Sequence, residues 1–228
     1  MTPLTKAAAR NALRTGVILF AFAVVATSLL VFTFNRTQPS IERSQQAAKR
    51  ALLSQVLPHA LYDNDLLASQ RSVPADALLG TRQPSVMWIA RRGDAVTAVV
   101  VEAIAPDGYS GNIHLLIGID TNGALTGVRV TGHRETPGLG DYIDRQKSPW
   151  IDQFSGKSLS QPAEKLWKVV RDGGAFDARA GATITPRAVV KAVKSALDYF
   201  AKNRKTLVPL PDAGAAAPAR EKPHDDSQ

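Results

Sequence analysis

The most pointed chemistry in this 228-residue chain lies in a threonine hydroxyl presented by two small residues. Residues 181–186 read Gly-Ala-Thr-Ile-Thr-Pro. Thr185 suits a helix N-cap, because its side-chain oxygen accepts from an early helical N–H. Pro186 suits the first helical position, where no donor is lost. Val189, Val193, Leu197 and Phe200 then follow at the spacing of one apolar helix face. This places Thr183 just outside a helix N-terminus, where spare N–H donors and a partial positive charge favour a phosphate group. A capped amphipathic helix with no further role produces the same pattern.

A second cluster lies in residues 133–140, His-Arg-Glu-Thr-Pro-Gly-Leu-Gly. A loop of this kind, closing a strand on a rigid sheet, is a common place for a ligand. Gly138 and Gly140 let backbone N–H groups approach a planar molecule. Glu135 and Thr136 offer an acceptor and a hydroxyl to its polar edge, and Leu139 can cover its face. Two other readings stay open: ordinary turn chemistry, and His133 with Glu135 as an acid/base pair or metal ligands, although a His-x-Glu pair without a third ligand is a weak metal signal. Between two predicted strands, residues 108–111 (Gly-Tyr-Ser-Gly) either shape a loop or bring Tyr109 beside an aromatic ring. His59, Asp63 and Asp65 read as a solvated connection rather than a metal site.

Composition narrows the chemistry. The chain has no cysteine, which excludes disulfides, cysteine-ligated iron–sulfur clusters, thiolate zinc sites and cysteine nucleophiles. The net charge is +8; Lys6, Arg10 and Arg14 carry three of these charges with no acid before Glu42, leaving +5 for the remainder. No interleaved basic and aromatic surface or nucleic-acid motif is present, so no nucleic-acid partner is expected.

These groups need elements to position them. Residues 16–34 carry no charge, and a helix of that length covers roughly 28 Å, close to a bilayer core. The run is longer than the apolar part of a signal peptide and lacks a clear cleavage site, so it reads as an uncleaved anchor. The basic residues before it place residues 1–15 in the cytoplasm and the rest outside, in the periplasm of a Gram-negative cell. A juxtamembrane helix is expected over residues 40–57, with Ile41, Ala48, Leu52 and Val56 on one face and Pro58 ending it. Strands are expected at 87–90, 95–105, 113–119 and 125–130, with turns at 91–94 and at Asn122-Gly123. A further strand is expected at 166–170. A meander with helices gathered late implies an α+β domain over residues 36–206, its sheet covered on one face. There is no Rossmann fingerprint. Residues 207–228, rich in proline, alanine and charge, read as a disordered tail.

Together these stretches resemble the G subunit of Rnf-type (Rsx) electron transport complexes, with the C subunit of the sodium-pumping NADH:quinone reductase a close relation. The resemblance rests on the single N-terminal span, on residues 108–111 and 133–140, and on residues 177–183 (Asp-Ala-Arg-Ala-Gly-Ala-Thr). It implies a flavin transferase that attaches FMN through its phosphate to the last threonine of a D-x-x-[S/T]-G-A-T motif, which is Thr183 here. Asp177, Gly181, Ala182, Thr185, Glu135, Thr136, Leu139, Gly140 and Tyr109 then become the expected cofactor-binding residues. Ala180 departs from the motif, where a serine or threonine is usual. The implied role is a membrane-anchored redox subunit with no independent catalysis. It would work with the other subunits of an inner-membrane complex that couples ferredoxin/NAD electron transfer to ion translocation. A non-redox extracytoplasmic binding or scaffold module is the alternative from a different class.

Overall fold

The computed structural model describes residues 3–208, with side chains from residue 11 onward; the rest of the tail expected at 207–228 lies outside the described residues. The chain divides into two compact units, Met1–Lys49 and Arg50–Gln228.

The described residues of the first unit form one helix, α1, which runs Pro3–Val56 and ends in the second unit. It is long and apolar enough to cross a membrane. Its large apolar side chains between Leu13 and Ile41 are exposed: Phe20 is 72% exposed and Phe22 75%. Such surface is costly in water and stable in lipid. The membrane span and the juxtamembrane helix, expected as separate elements, are one continuous helix through Pro39. A single proline removes one backbone hydrogen bond. Around it the hydroxyls of Thr33 and Thr37 donate back to the carbonyls of Leu29 and Thr33, and Gln38 bonds Glu42 one turn on. The helix stops two residues before Pro58, as expected.

The second unit is an α+β domain. Its sheet has five antiparallel strands in the order of the chain: β1 (Gln70–Val73), β2 (Ser85–Arg92), β3 (Ala95–Gly108), β4 (Gly111–Asp120) and β5 (Leu125–Gly132). The strands expected at 87–90, 95–105, 113–119 and 125–130 are all present. β1 escaped prediction because three of its four residues are exposed and it lacks the alternation that marks a strand. The strand expected to end at residue 105 runs on instead: β3 continues through an irregularity in pairing between Ala105 and Gly108. The hairpin between β4 and β5 closes with Asp120 Oδ1 accepting from the amides of Asn122 and Ala124.

One sheet face carries Val99, Val101, Ala103 and Ala105 of β3 with Ile113, Leu115, Ile117 and Ile119 of β4. Helix α2 (Ile184–Leu207) packs there through Val189, Val193, Leu197 and Phe200, the stripe read from the sequence, joined by Ala196. It buries Leu207, one residue into the expected tail.

The other face is covered too, contrary to the one-sided sheet expected. Leu53, Val56, Leu57 and Leu66 bury against Trp88, Ala90, Ala98, Val100 and Leu116. This second layer depends on glycine. A Cβ on Gly127 would meet the Cα of Val56 at 2.9 Å and its carbonyl oxygen at 3.0 Å. The bare strand lets the last turn of α1 approach, and Thr126 Oγ1 donates to the Val56 carbonyl at 2.6 Å, satisfying an acceptor the helix end leaves open.

The strand expected at 166–170 does not form. Glu164–Leu166 is a turn of 3-10 helix, and Val169 makes only an isolated bridge to Phe176. Its apolar residues are drawn into an aromatic cluster instead. Phe176 lies 4.9 Å from the Phe154 ring and 4.8 Å from the Trp167 ring, centroid to centroid.

Gly127→Val pushes a side chain into the backbone of Val56. The expected cost is about 1–3 kcal/mol, read as a lowered midpoint in thermal unfolding of the full chain in detergent. An unchanged midpoint would refute this packing.

Candidate functional site

Three segments converge at one end of the sheet: the turn between β3 and β4, the loop that follows β5, and the start of α2. They enclose an open cavity of about 350 Å³, within the usual range for a small-molecule site. Tyr109, Glu135, Thr136, Leu139 and Gly140 line it from the first two segments, and Gly181, Ala182, Thr183 and Thr185 from the third. Every expected cofactor-binding residue except Asp177 is therefore brought together. Ile184, half-exposed at 47%, also lines the cavity and was not anticipated. Its only signal was an exposed apolar residue directly after the threonine.

Thr183 is the N-cap residue of α2, and its side chain makes no capping hydrogen bond. The hydroxyl expected to be the cap belongs to Thr185. The helix begins two residues earlier than predicted, with Ile184 as its first residue and Pro186 still inside the first turn, where a missing N–H costs little. Thr185 is 2% exposed and donates instead to Glu135 Oε2. That bond displaces capping because a buried carboxylate needs donors more than a helix end open to solvent does.

Glu135 is 4% exposed, and its other oxygen, Oε1, accepts from the Ser110 amide at 3.0 Å. Its carboxylate, expected to serve as an acceptor for a ligand, thus has an internal use: it ties the three segments together. Two glycines make room for it. A Cβ on Gly140 would come within 2.8 Å of Glu135 Oε2, and one on Gly108 within 2.9 Å of Oε1. The His133 ring accepts from the Glu135 amide at 3.1 Å, so the two side chains are not joined as an acid/base pair. Among the described residues no group of three or more His, Asp and Glu is placed to hold a metal ion.

The loop bearing Thr183 is clamped from behind. Tyr142, buried beneath it, accepts from the Arg179 amide at 3.2 Å and donates to the Ala182 carbonyl at 3.4 Å. Burial pushes the Tyr142 phenol above its ordinary pKa, and Arg179, 4.7 Å from the ring centre, opposes this. Asp177 lies outside the cavity lining; its backbone bonds Gln153 Oε1 at 2.8 Å and Trp150 Nε1 at 2.7 Å, anchoring the start of the loop. Ala180 is exposed and outside the lining. Gly181 takes φ +84°, a conformation that favours glycine, at the bend that turns the chain into α2.

A planar ring with an anionic tail fits this arrangement. Tyr109 (68% exposed) and Leu139 (54%) set apolar surface at the cavity rim. Gly181 and Ala182 leave space beside the Thr183 hydroxyl, and the first amides of α2 have no partner within the helix.

The comparisons agree with the geometry. Residues 108–198 match the family model of the FMN-binding domain, and residues 1–56 match that of the RnfG N-terminal region. An apolar helix of membrane-spanning length before such a domain defines a single-pass, membrane-anchored flavoprotein. The G subunit of the ion-translocating oxidoreductase complex of Pseudomonas aeruginosa is 47% identical over 87% of this chain and 93% of its own length. The corresponding G subunits of Shewanella baltica and Vibrio cholerae are each 44% identical, over 87% and 85% of this chain and 94% and 92% of their own lengths. The chain belongs to the family of G subunits of ion-translocating oxidoreductase complexes.

Thr185→Val removes the donor to a buried carboxylate oxygen, at an expected cost of about 1–3 kcal/mol. Thr185→Ser keeps the hydroxyl. Thermal unfolding of the full chain should rank wild type and serine variant together, above the valine variant; equal midpoints for serine and valine would contradict the bond.

Proposed function

We propose that Thr183 carries FMN covalently through a phosphoester, and that the chain relays electrons as one subunit of an ion-translocating membrane complex. The observation that carries this reading is Thr183 itself: its hydroxyl has no capping role, and the residue lines the cavity formed by segments that the FMN-binding domain model spans. A phosphodiester keeps one negative charge, and a helix N-terminus favours such a charge by roughly 0.3–1 kcal/mol. That is too little to retain a cofactor, so the covalent bond does the retaining. Thr185, the rival hydroxyl, is buried and engaged by Glu135.

Bound FMN supplies the electron-carrying chemistry, and the protein supplies position and surroundings. Tyr109, Leu139 and Ile184 shield the ring from water. Thr136, exposed at the cavity edge, offers its hydroxyl to the polar side of the ring. Glu135, Thr185, Gly108 and Gly140 keep the wall rigid, and Tyr142 holds the attachment loop. In this reading the subunit passes electrons through its flavin and has no catalysis of its own.

In this reading a flavin transferase matures the protein, and the complex couples ferredoxin/NAD electron transfer to ion movement. Lys6, Arg10 and Arg14 precede the span without a compensating acid, which favours a cytoplasmic N-terminus in the inner membrane and a periplasmic flavin domain. The relatives reported above are G subunits, which supports this assignment over the C subunit of a sodium-pumping quinone reductase.

In-gel flavin fluorescence after denaturing electrophoresis tests the attachment. Protein from its native membrane should give a fluorescent band, and Thr183→Ala should lose it. A dark wild-type band, with the transferase present, would sink the reading; a fluorescent Thr183→Ala band would move the attachment elsewhere.

A further inference from the structure

One turn into α2, Arg187 stands beside Thr183. Its Nε and Nη2 donate to the two carboxylate oxygens of Asp172, each at 2.6 Å. Its remaining terminal nitrogen, Nη1, lies 3.5 Å from Thr183 Oγ1. A guanidinium is a rigid planar fork. Once one edge is fixed on a carboxylate, the direction of the remaining N–H groups is fixed as well. Asp172 is itself well held. It ends a turn of 3-10 helix at Val170–Asp172, its amide donates to the Val169 carbonyl at 2.8 Å, and the chain then turns away at Gly173 with φ +76°. The hydrogen bond from Arg187 keeps the Asp172 carboxyl below its ordinary pKa, so the carboxylate is charged and available as an anchor at neutral pH.

The pair does not serve the hydrophobic core, since both side chains are partly exposed at 44% and 32%. It also does little for a neutral hydroxyl, for which 3.5 Å is the outer limit of a hydrogen bond. The arrangement suits an anion one bond beyond Oγ1. The first turn of α2 supplies amides to that place, but Pro186 contributes none, and Arg187 adds charge where the turn lacks a donor. Arg179, the other cation of the attachment loop, is turned away: it lies over the Tyr142 ring and donates to Ser148 Oγ at 3.3 Å.

The geometry points to Arg187 as the cation that pairs with the phosphodiester on Thr183, with Asp172 as the residue that positions it. This rests on the reading that FMN is attached at Thr183. Arg187 then bridges two anions, the Asp172 carboxylate and a non-bridging phosphate oxygen. Charge-assisted bonds of this kind are shorter and stronger than neutral ones. Such a pairing would hold the phosphate end of the cofactor beside the first turn of α2.

The test uses the full chain co-expressed with a flavin transferase and purified in a phosphorus-free detergent. Intact mass reports whether FMN is attached, and the 31P resonance reports the surroundings of the diester. Arg187→Gln should shift that resonance from its wild-type position, Arg187→Lys should lie between the two, and Asp172→Asn should shift it with the arginine still present. If Arg187→Gln carries no FMN, restored attachment in Arg187→Lys supports the pairing equally. An unmoved resonance in a fully loaded Arg187→Gln protein overturns the inference and leaves the attachment standing. So does loss of FMN, or one common shift, in the glutamine and lysine variants alike, which marks a role of shape rather than charge. Wild-type protein without the added mass overturns the attachment itself, and this inference with it.

Discussion

A buried carboxylate governs the architecture of the site. Moving an ionised carboxylate out of water costs several kcal/mol unless its oxygens find donors. Glu135 finds one in each neighbouring segment, the Ser110 amide and the Thr185 hydroxyl. None of the three segments can move away without stranding a charge. The constraint propagates to residue choice. Gly140 is bare because the carboxylate takes the space its side chain would need, Gly108 because the Gly111 carbonyl and the carboxylate together do so, and Thr185 is recruited from the capping role its sequence context suggested. The cavity wall is thereby tied together by a single side chain.

The same economy appears on the far side of the sheet. The last turn of α1 lies against β4 and β5 because Gly118 and Gly127 allow backbone contact, and Thr126 closes the helix end. A helix whose earlier residues suit lipid thus finishes as part of a water-soluble core. One element answers to two solvents, and the change falls where its exposed phenylalanines give way to the buried Leu53 and Val56.

Much of this was legible in the sequence, for identifiable reasons. The β2–β5 meander and the stripe on α2 follow from alternation and helical spacing, both local properties. The residues that line the cavity could be singled out because glycine-rich loops and a threonine at a helix start are distinctive over a few residues, and because the stretches together resemble one family. What stayed hidden was non-local. Nothing near Thr185 reveals that Glu135, fifty residues earlier, will claim its hydroxyl. The apolar run ending at Val170 looks like a strand until Phe154 and Phe176 are placed beside Trp167. The second core was missed because it needs both a helix end and two glycines on distant strands. Tyr142 gave no local sign of its clamp, since its partners lie thirty-seven and forty residues further on.

The order of the elements along the chain has a bearing on maturation. Each strand pairs only with its sequence neighbours, so the sheet can assemble progressively from its N-terminal edge, closing one short loop at a time. The cavity cannot. Its walls come from the β3–β4 turn, the loop after β5, and the first turn of α2, the last of these elements to be synthesised. Until α2 docks, Glu135 lacks the Thr185 donor and Thr183 stands beside no cavity. The cavity and the hydroxyl beside it therefore come together only in the finished domain, so their juxtaposition is a marker of completed folding.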